Sequence, residues 1–305
     1  MEPRTTHEEA GWRKFLGLAP GTEPAPEVRS LLDFHRRPGV PRGARFHDGV
    51  EFGRAGMGGR ALRMWLFSRG ERSRRQPGVV FVHSGGWFQG TPFVHMRHAY
   101  ELAQLGYVTA TIEYRLEPEG TVWDALADTK CAVRYMRANA AELGLDGDRL
   151  AIAGGSAGGH LAAMTAMTPG RYEGAGGNHA VSSAVQAVMM LYPMVDLRAC
   201  TGILVESIAR IVGPDPAVLD ELSPITHVRP GVPPVLTING DPDSLTPLAM
   251  SQRFHRELEA AGVFNRLVVL PGQEHGFDIS PAGWQLSFDP MVSFLGEVFA
   301  GAGER

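Results

Sequence analysis

Gly154-Gly155-Ser156-Ala157-Gly158 constrains this chain more than any other stretch. It follows a short β-favouring run, 150–153, and leads into small, helix-forming residues from Ala157 to Met164. Strand, tight turn and helix in that order put one serine at the apex of a Gly154-x-Ser156-x-Gly158 pattern, the signature of a nucleophile elbow. A serine held on so sharp a turn needs neighbours without Cβ, so that strand and helix can approach each other closely. A glycine-rich βα turn with an incidental serine has the same local pattern. A catalytic reading therefore needs a base, an orienting acid and an oxyanion hole from elsewhere in the chain.

The surrounding pattern supplies a scaffold. Residues 1–43 are charged and proline-rich with a few apolar anchors, among them Trp12, Phe15 and Phe34, which suits an N-terminal arm or partial cap. Residues 44–67 look strand-like. Gly56-Met57-Gly58-Gly59-Arg60-Ala61 nominally fits a dinucleotide fingerprint, but a strand follows it rather than the required helix, so a hairpin turn is expected. Buried strands are expected at 78–83, 107–113, 150–153, 185–191, 234–239 and 266–270. Helices are expected at 94–105, 122–143, 157–164, 247–261 and 288–299, the longest of them ending at Gly144. Alternation at this rhythm predicts an α/β fold, a mostly parallel central sheet with helices on both faces. Residues 44–305 then form one domain with a short cap insertion at about 196–232. Ligands on such sheets bind at the carboxyl ends of the strands.

Composition excludes several partners. The formal net charge of −4 over 305 residues gives no general attraction to nucleic acid or to anionic membranes. Arg69, Arg72, Arg74 and Arg75 cluster, but between two strand patterns they read as a solvated loop. Cys131 and Cys200 lie far apart and are expected to be buried free thiols, as in a reducing compartment. The first residues lack the apolar core of a secretory signal, and no apolar run reaches spanning length. A cytoplasmic protein without a membrane partner is expected, with a homodimer left open.

Three further loops fall at strand ends. His83-Ser84-Gly85-Gly86-Trp87 follows a buried strand, and its glycines can aim backbone N–H groups at one point, as acyl transfer requires for the oxyanion. After the 234–239 strand come Asp241 and Asp243, either of which could cap the next helix or orient a histidine. After the last strand comes His275, flanked by Gly272 and Gly276. The chain order serine, aspartate, histidine is that of an α/β-hydrolase triad.

Over about residues 60–300 the chain resembles α/β-hydrolase-fold esterases of the hormone-sensitive-lipase and bimodular-feruloyl-esterase-like type. The likeness rests on His83-Ser84-Gly85-Gly86-Trp87, on Tyr114-Arg115-Leu116-Glu117-Pro118-Glu119, on the stretch from Asp148 to Gly159, and on the Asp243 and His275 loops. It implies Ser156 as nucleophile, His275 as general base and acid, and Asp243 rather than Asp241 as the orienting carboxylate. It assigns the oxyanion donors to the N–H groups of Gly85, Gly86 and Ala157, with His83 bracing their loop. It implies no cofactor and no metal. Two positions depart from the family pattern: Ser84 replaces its first loop glycine, and Asn239, expected to be a packing detail, replaces a histidine.

Trp87, Phe88 and Phe277 are expected to line a substrate pocket. His95-Met96-Arg97-His98 has an i, i+3 spacing without an accompanying carboxylate or cysteine set, so a helix-surface pair is expected rather than a metal site. The expected activity is hydrolysis of small-molecule carboxylic esters with short to medium acyl groups. An arylformamidase acting on an N-formylkynurenine-type amide is the alternative, and a catalytically silent receptor on the same fold is a third reading.

Overall fold

The inner strand segments are apolar on both faces, so each must be covered twice. A computed structural model describes residues 45–69, 75–200 and 203–300. The arm expected over 1–43 and most of the arginine-rich loop lie outside the described residues. The sheet comprises β1 (Arg45–Arg54), β2 (Ala61–Ser68), β3 (Gln76–Val82), β4 (Val108–Ile112), β5 (Leu145–Gly155), β6 (Ala187–Leu191), β7 (Val235–Gly240) and β8 (Asn265–Leu270). Their spatial order is β1-β2-β4-β3-β5-β6-β7-β8. β2 pairs antiparallel with β1 and β4, and every other pairing is parallel.

Alternate residues of one strand enter opposite cores. Val80 and Val82 of β3, Leu150 and Ile152 of β5, and Val188 and Met190 of β6 join one apolar cluster. Val79 and Phe81, Ala151 and Ala153, and Met189 and Leu191 join the other. The first core is closed by α2 (Val122–Ala138), α4 (Ala157–Met167) and α7 (Leu248–Ala260). The second is closed by α1 (Met96–Gln104) and α8 (Pro281–Ala300). Burying one large apolar side chain of this kind contributes about 1.5–3 kcal/mol.

Two helices differ from their sequence patterns. The helix expected over 122–143 starts on a capping box, in which the Thr121 hydroxyl accepts from Asp124 N and the Asp124 carboxylate accepts from Thr121 N. It stops at Ala138, where Asn139 turns its side chain back to the Tyr135 carbonyl, 2.9 Å away. The separate α3 (Ala140–Leu143) follows and ends at Gly144, whose φ of 70° is the left-handed conformation a closing glycine supplies. The final helix begins at Pro281, well before 288, and contains Pro290. Cys131 and Cys200 are free and buried, and burial pushes their thiols up to about 11 and about 12. Among the described residues no helix is long and apolar enough to cross a membrane.

The register sets the strand ends side by side. Val82 pairs with Gly154, Gly155 with Leu191, and Gly240 with Leu270. The segments carrying Gly85, Ser156, Asp243 and His275 therefore leave one edge of neighbouring strands. Above them lies the segment between β6 and β7, with α5 (Ile203–Ile211) and α6 (Pro216–Glu221).

Candidate active site

Ser156 stands at the junction of β5 and α4 with φ 53° and ψ −120°. A non-glycine residue in such a conformation costs on the order of 1–3 kcal/mol, so the surroundings must hold it. Its N–H donates to the Leu191 carbonyl at 2.9 Å. A Cβ on Gly158 would lie 2.2 Å from the Val82 carbonyl oxygen, and one on Gly154 would lie 2.5 Å from the Gly158 backbone. The glycines of the Gly154-x-Ser156-x-Gly158 pattern are thus required by the approach of α4 to β3 and β5.

Ser156 Oγ lies 2.9 Å from His275 Nε2. On the other side of the imidazole, Nδ1 is 3.1 Å from Asp243 Oδ2 and 3.2 Å from Oδ1. Burial pushes the Asp243 carboxyl up, but the hydrogen bond and charge of His275, with donors from Thr246, outweigh that and hold it below its ordinary value. Oδ1 accepts from the N–H groups of Leu245 and Thr246 at 3.0 and 2.8 Å, and Oδ2 is 2.9 Å from the Thr246 hydroxyl. Asp241 is placed elsewhere: its carboxylate accepts from Gly272 N at 2.7 Å and braces the loop leading to His275.

The loop after β3 turns on Gly85 (φ 128°) and Gly86 (φ 62°), and a Cβ on Gly85 would meet the Gln89 carbonyl oxygen at 2.0 Å. Among the described residues, the N–H groups of Gly85 and Gly86 donate to no backbone carbonyl. Ala157 opens α4, where an N–H has no acceptor within the helix. His83 is buried beneath this loop, with its ring stacked on Tyr114 at 4.1 Å and Nδ1 2.8 Å from the Ser84 carbonyl oxygen. Burial lowers its pKa to about 4, so it is a neutral brace at neutral pH. The Tyr114 hydroxyl donates to the His83 carbonyl, and the neighbouring Arg115 grips Asp128 through Nε and Nη2. Ser84 points its hydroxyl toward Gly155, where an added Cβ would meet Ser84 Oγ at 2.7 Å and the Tyr192 hydroxyl at 2.8 Å.

Several expectations are corrected. Trp87 and Phe277 are 3% and 6% exposed and belong to the two cores. The positive φ of Trp87 turns its indole inward to an edge contact with His160, and Phe277 packs edge-on against Tyr192. Phe88 alone of the three is exposed, at 39%, beside Gly86 and 5.4 Å below the Arg210 guanidinium of α5. Asn239 is more than a packing detail. Its amide donates to Asp243 Oδ2 at 3.4 Å and to the Thr246 carbonyl at 3.3 Å, while its Oδ1 accepts from the Ser251 hydroxyl. His95 and His98 are no surface pair, since both are only 1% exposed.

Sequence reasoning missed three residues. Thr246 places its hydroxyl 3.1 Å from His275 Nδ1 and 3.1 Å from the Tyr192 carbonyl oxygen. Tyr192, directly after β6 and with φ 36°, packs its ring 4.5 Å from that of His275 and donates its hydroxyl to Asp278. His160 on α4 reaches the Leu222 carbonyl at 2.6 Å and ties the elbow helix to the overlying segment. Position at a strand's carboxyl end was the signal available for Tyr192.

The BD-FAE family model matches residues 64–258. The probable carboxylic ester hydrolase LipM of Mycobacterium tuberculosis is 29% identical over 97% of this chain, which covers 70% of LipM. Esterase LipQ of the same organism is 31% identical over 80% of this chain, which covers 61% of LipQ. The thermophilic esterase Est2 of Thermogutta terrifontis superposes with a TM-score of 0.74 at 28% identity, over 84% of this chain and 93% of that one. Other structures of Est2 contain propionate or butyrate, and another is phosphonylated by sarin.

Proposed function

The chain belongs to the BD-FAE family of α/β-hydrolase-fold esterases, and from that premise we propose that it hydrolyses small carboxylic esters through an acyl-enzyme on Ser156. The observation that carries this reading is the 2.9 Å contact of Ser156 Oγ with His275 Nε2, backed by Asp243 on Nδ1. His275 takes the Ser156 proton as Oγ attacks the ester carbonyl. Negative charge then develops on the former carbonyl oxygen, where the N–H groups of Gly85, Gly86 and Ala157 receive it, each donor lowering the barrier by about 3 kcal/mol. His275 passes the proton to the departing alcohol. In the second half-reaction it activates water, which releases the acid and restores the serine. Asp243 stays ionised throughout, fixes the tautomer and stabilises the imidazolium.

Short to medium acyl groups suit the site. The segment over residues 196–232 is too small for a full helical lid, and Est2, with a similar fold, accommodates propionate and butyrate. Phe88, exposed beneath Arg210, offers an aromatic wall to the substrate.

Ser156→Ala is expected to lower kcat on p-nitrophenyl butyrate by about 10⁵-fold with the far-UV dichroism unchanged. A fluorophosphonate should label the wild-type chain once, at Ser156. Full activity of the variant, or a label elsewhere, would remove the assignment. Across p-nitrophenyl esters, kcat/KM should peak at a short or medium acyl chain and exceed that for an N-formylkynurenine-type amide. A peak at long chains, or faster formamide cleavage, contradicts the substrate class.

A further inference from the structure

A second histidine-aspartate cluster lies behind the site and takes no part in the chemistry above. His95 closes the 3-10 turn Pro92–His95, His98 lies on the first turn of α1, and Asp278 belongs to the 3-10 turn Phe277–Ile279. Their relative exposures are 1%, 1% and 5%. Among the described residues, Nδ1 and Nε2 of His95, Nδ1 of His98 and Oδ2 of Asp278 have no hydrogen-bond partner. His95 Nδ1 is 3.6 Å from Asp278 Oδ2, beyond hydrogen-bonding reach. Protein interiors rarely leave such atoms unpartnered, so a cluster in which all three side chains carry one calls for a partner.

One donor atom from each of the three residues lies within 4.8 Å of the other two. We propose that His95, His98 and Asp278 bind a divalent transition-metal ion of the zinc class, in a structural site separate from Ser156. Two imidazoles and one carboxylate match the donor preference of zinc, whereas calcium and magnesium favour oxygen ligands in greater number. Zinc bonds of about 2.0–2.1 Å place tetrahedral ligand atoms about 3.3 Å apart, so binding draws the three side chains inward.

One further observation supports the site. Metal-ligating side chains are commonly oriented through their other polar atom. Here the second nitrogen of His98 meets the Ser287 hydroxyl at 2.9 Å, and the second oxygen of Asp278 accepts from Tyr192. Tyr192 packs on His275, so a bound ion would fasten α1 to the loop that carries the proposed base.

The test uses the untagged full chain, stripped with EDTA, loaded with zinc sulfate, desalted and analysed by elemental mass spectrometry. About one zinc per chain is expected, with a rise in Tm of several degrees. His98→Gln and Asp278→Asn should each reduce retained zinc at least five-fold. No zinc retained by the wild type, or equal retention by both folded variants, overturns the proposal. If the variants do not fold, X-ray absorption of the zinc-loaded wild type decides: ligation by two imidazoles supports the site, and ligation by fewer overturns it. Ser156→Ala should bind zinc as the wild type does, which keeps this result independent of the esterase assignment.

Discussion

Tyr192 joins two histidine-aspartate clusters of opposite character. On the face of its ring lies His275 with Asp243, and at its hydroxyl lies Asp278 with His95 and His98. The residue types are the same and the aspartates are nearly equally covered, at 4% and 5% exposure. What differs is the supply of donors. Asp243 receives two backbone N–H groups, the Thr246 hydroxyl, the Asn239 amide and His275, and it is held below its ordinary value despite burial. Asp278 is pushed by burial up to about 6, with the Tyr192 hydroxyl as its side-chain donor. Burial opposes ionisation in both places; the donors around Asp243 outweigh it, whereas at Asp278 burial prevails over its fewer donors. A fully satisfied cluster is organised for proton transfer, whereas one with orphaned lone pairs is organised for an ion.

The largest effect that could break this contrast is the loss of either carboxylate charge. Asp243→Asn should lower kcat by about 10⁴-fold while keeping the packing, because the amide favours the wrong tautomer of His275. Asp278→Asn should lower it by no more than about ten-fold, through displacement of Tyr192 alone. Comparable losses in p-nitrophenyl butyrate assays would mean that the two clusters act as one unit.

The two clusters also differed in how readable they were. Ser156 and His275 were legible because each sits in a local pattern: a glycine turn closing a strand, and a glycine-flanked loop after the last strand. Position after β7 leaves Asp241 and Asp243 equivalent, the family resemblance picks Asp243, and in the structure Asp243 faces His275 while Asp241 faces Gly272. The strands were found by their apolar runs, although β5 begins earlier, at Leu145, where pairing with Gln76 extends it beyond its apolar stretch. His95 and His98 were misread for a physical reason. Spacing of i, i+3 places two side chains on one helix face but does not say which face is buried, and here Phe81 and Trp284 pack against His98. Asp278, distant in sequence, carried no sign that it would meet them. Trp87 turned inward through a backbone conformation that composition does not reveal.

The contrast has a signature in stability. Asp243 has a folded-state pKa below its unfolded one, so its contribution is present above the unfolded value near pH 4 and is lost as pH falls through the folded value. The wild type should therefore lose Tm on acidification from pH 5 to pH 3 more steeply than Asp243→Asn, which has no carboxyl to protonate. Parallel Tm-against-pH curves would show that the Asp243 donors do not favour its ionised form.

The smallest expected effect tests one donor of the satisfied cluster. The Thr246 hydroxyl lies 2.9 Å from Asp243 Oδ2 and 3.1 Å from both His275 Nδ1 and the Tyr192 carbonyl oxygen. A hydroxyl has one proton, so it can fill only one of the acceptors around it at a time. Thr246→Val keeps the side-chain shape and the backbone N–H that donates to Asp243 Oδ1 at 2.8 Å, and removes only that proton and its oxygen. A hydrogen bond to a charged group contributes about 1.5–3 kcal/mol, and part of that is recovered from the remaining donors. The expected loss is therefore about ten-fold in kcat with KM nearly unchanged, because Thr246 is only 1% exposed. Thr246→Ser, which restores the hydroxyl without the methyl, should recover most of the rate. Failure of serine to rescue would assign the loss to packing against Tyr192 rather than to the hydrogen bond.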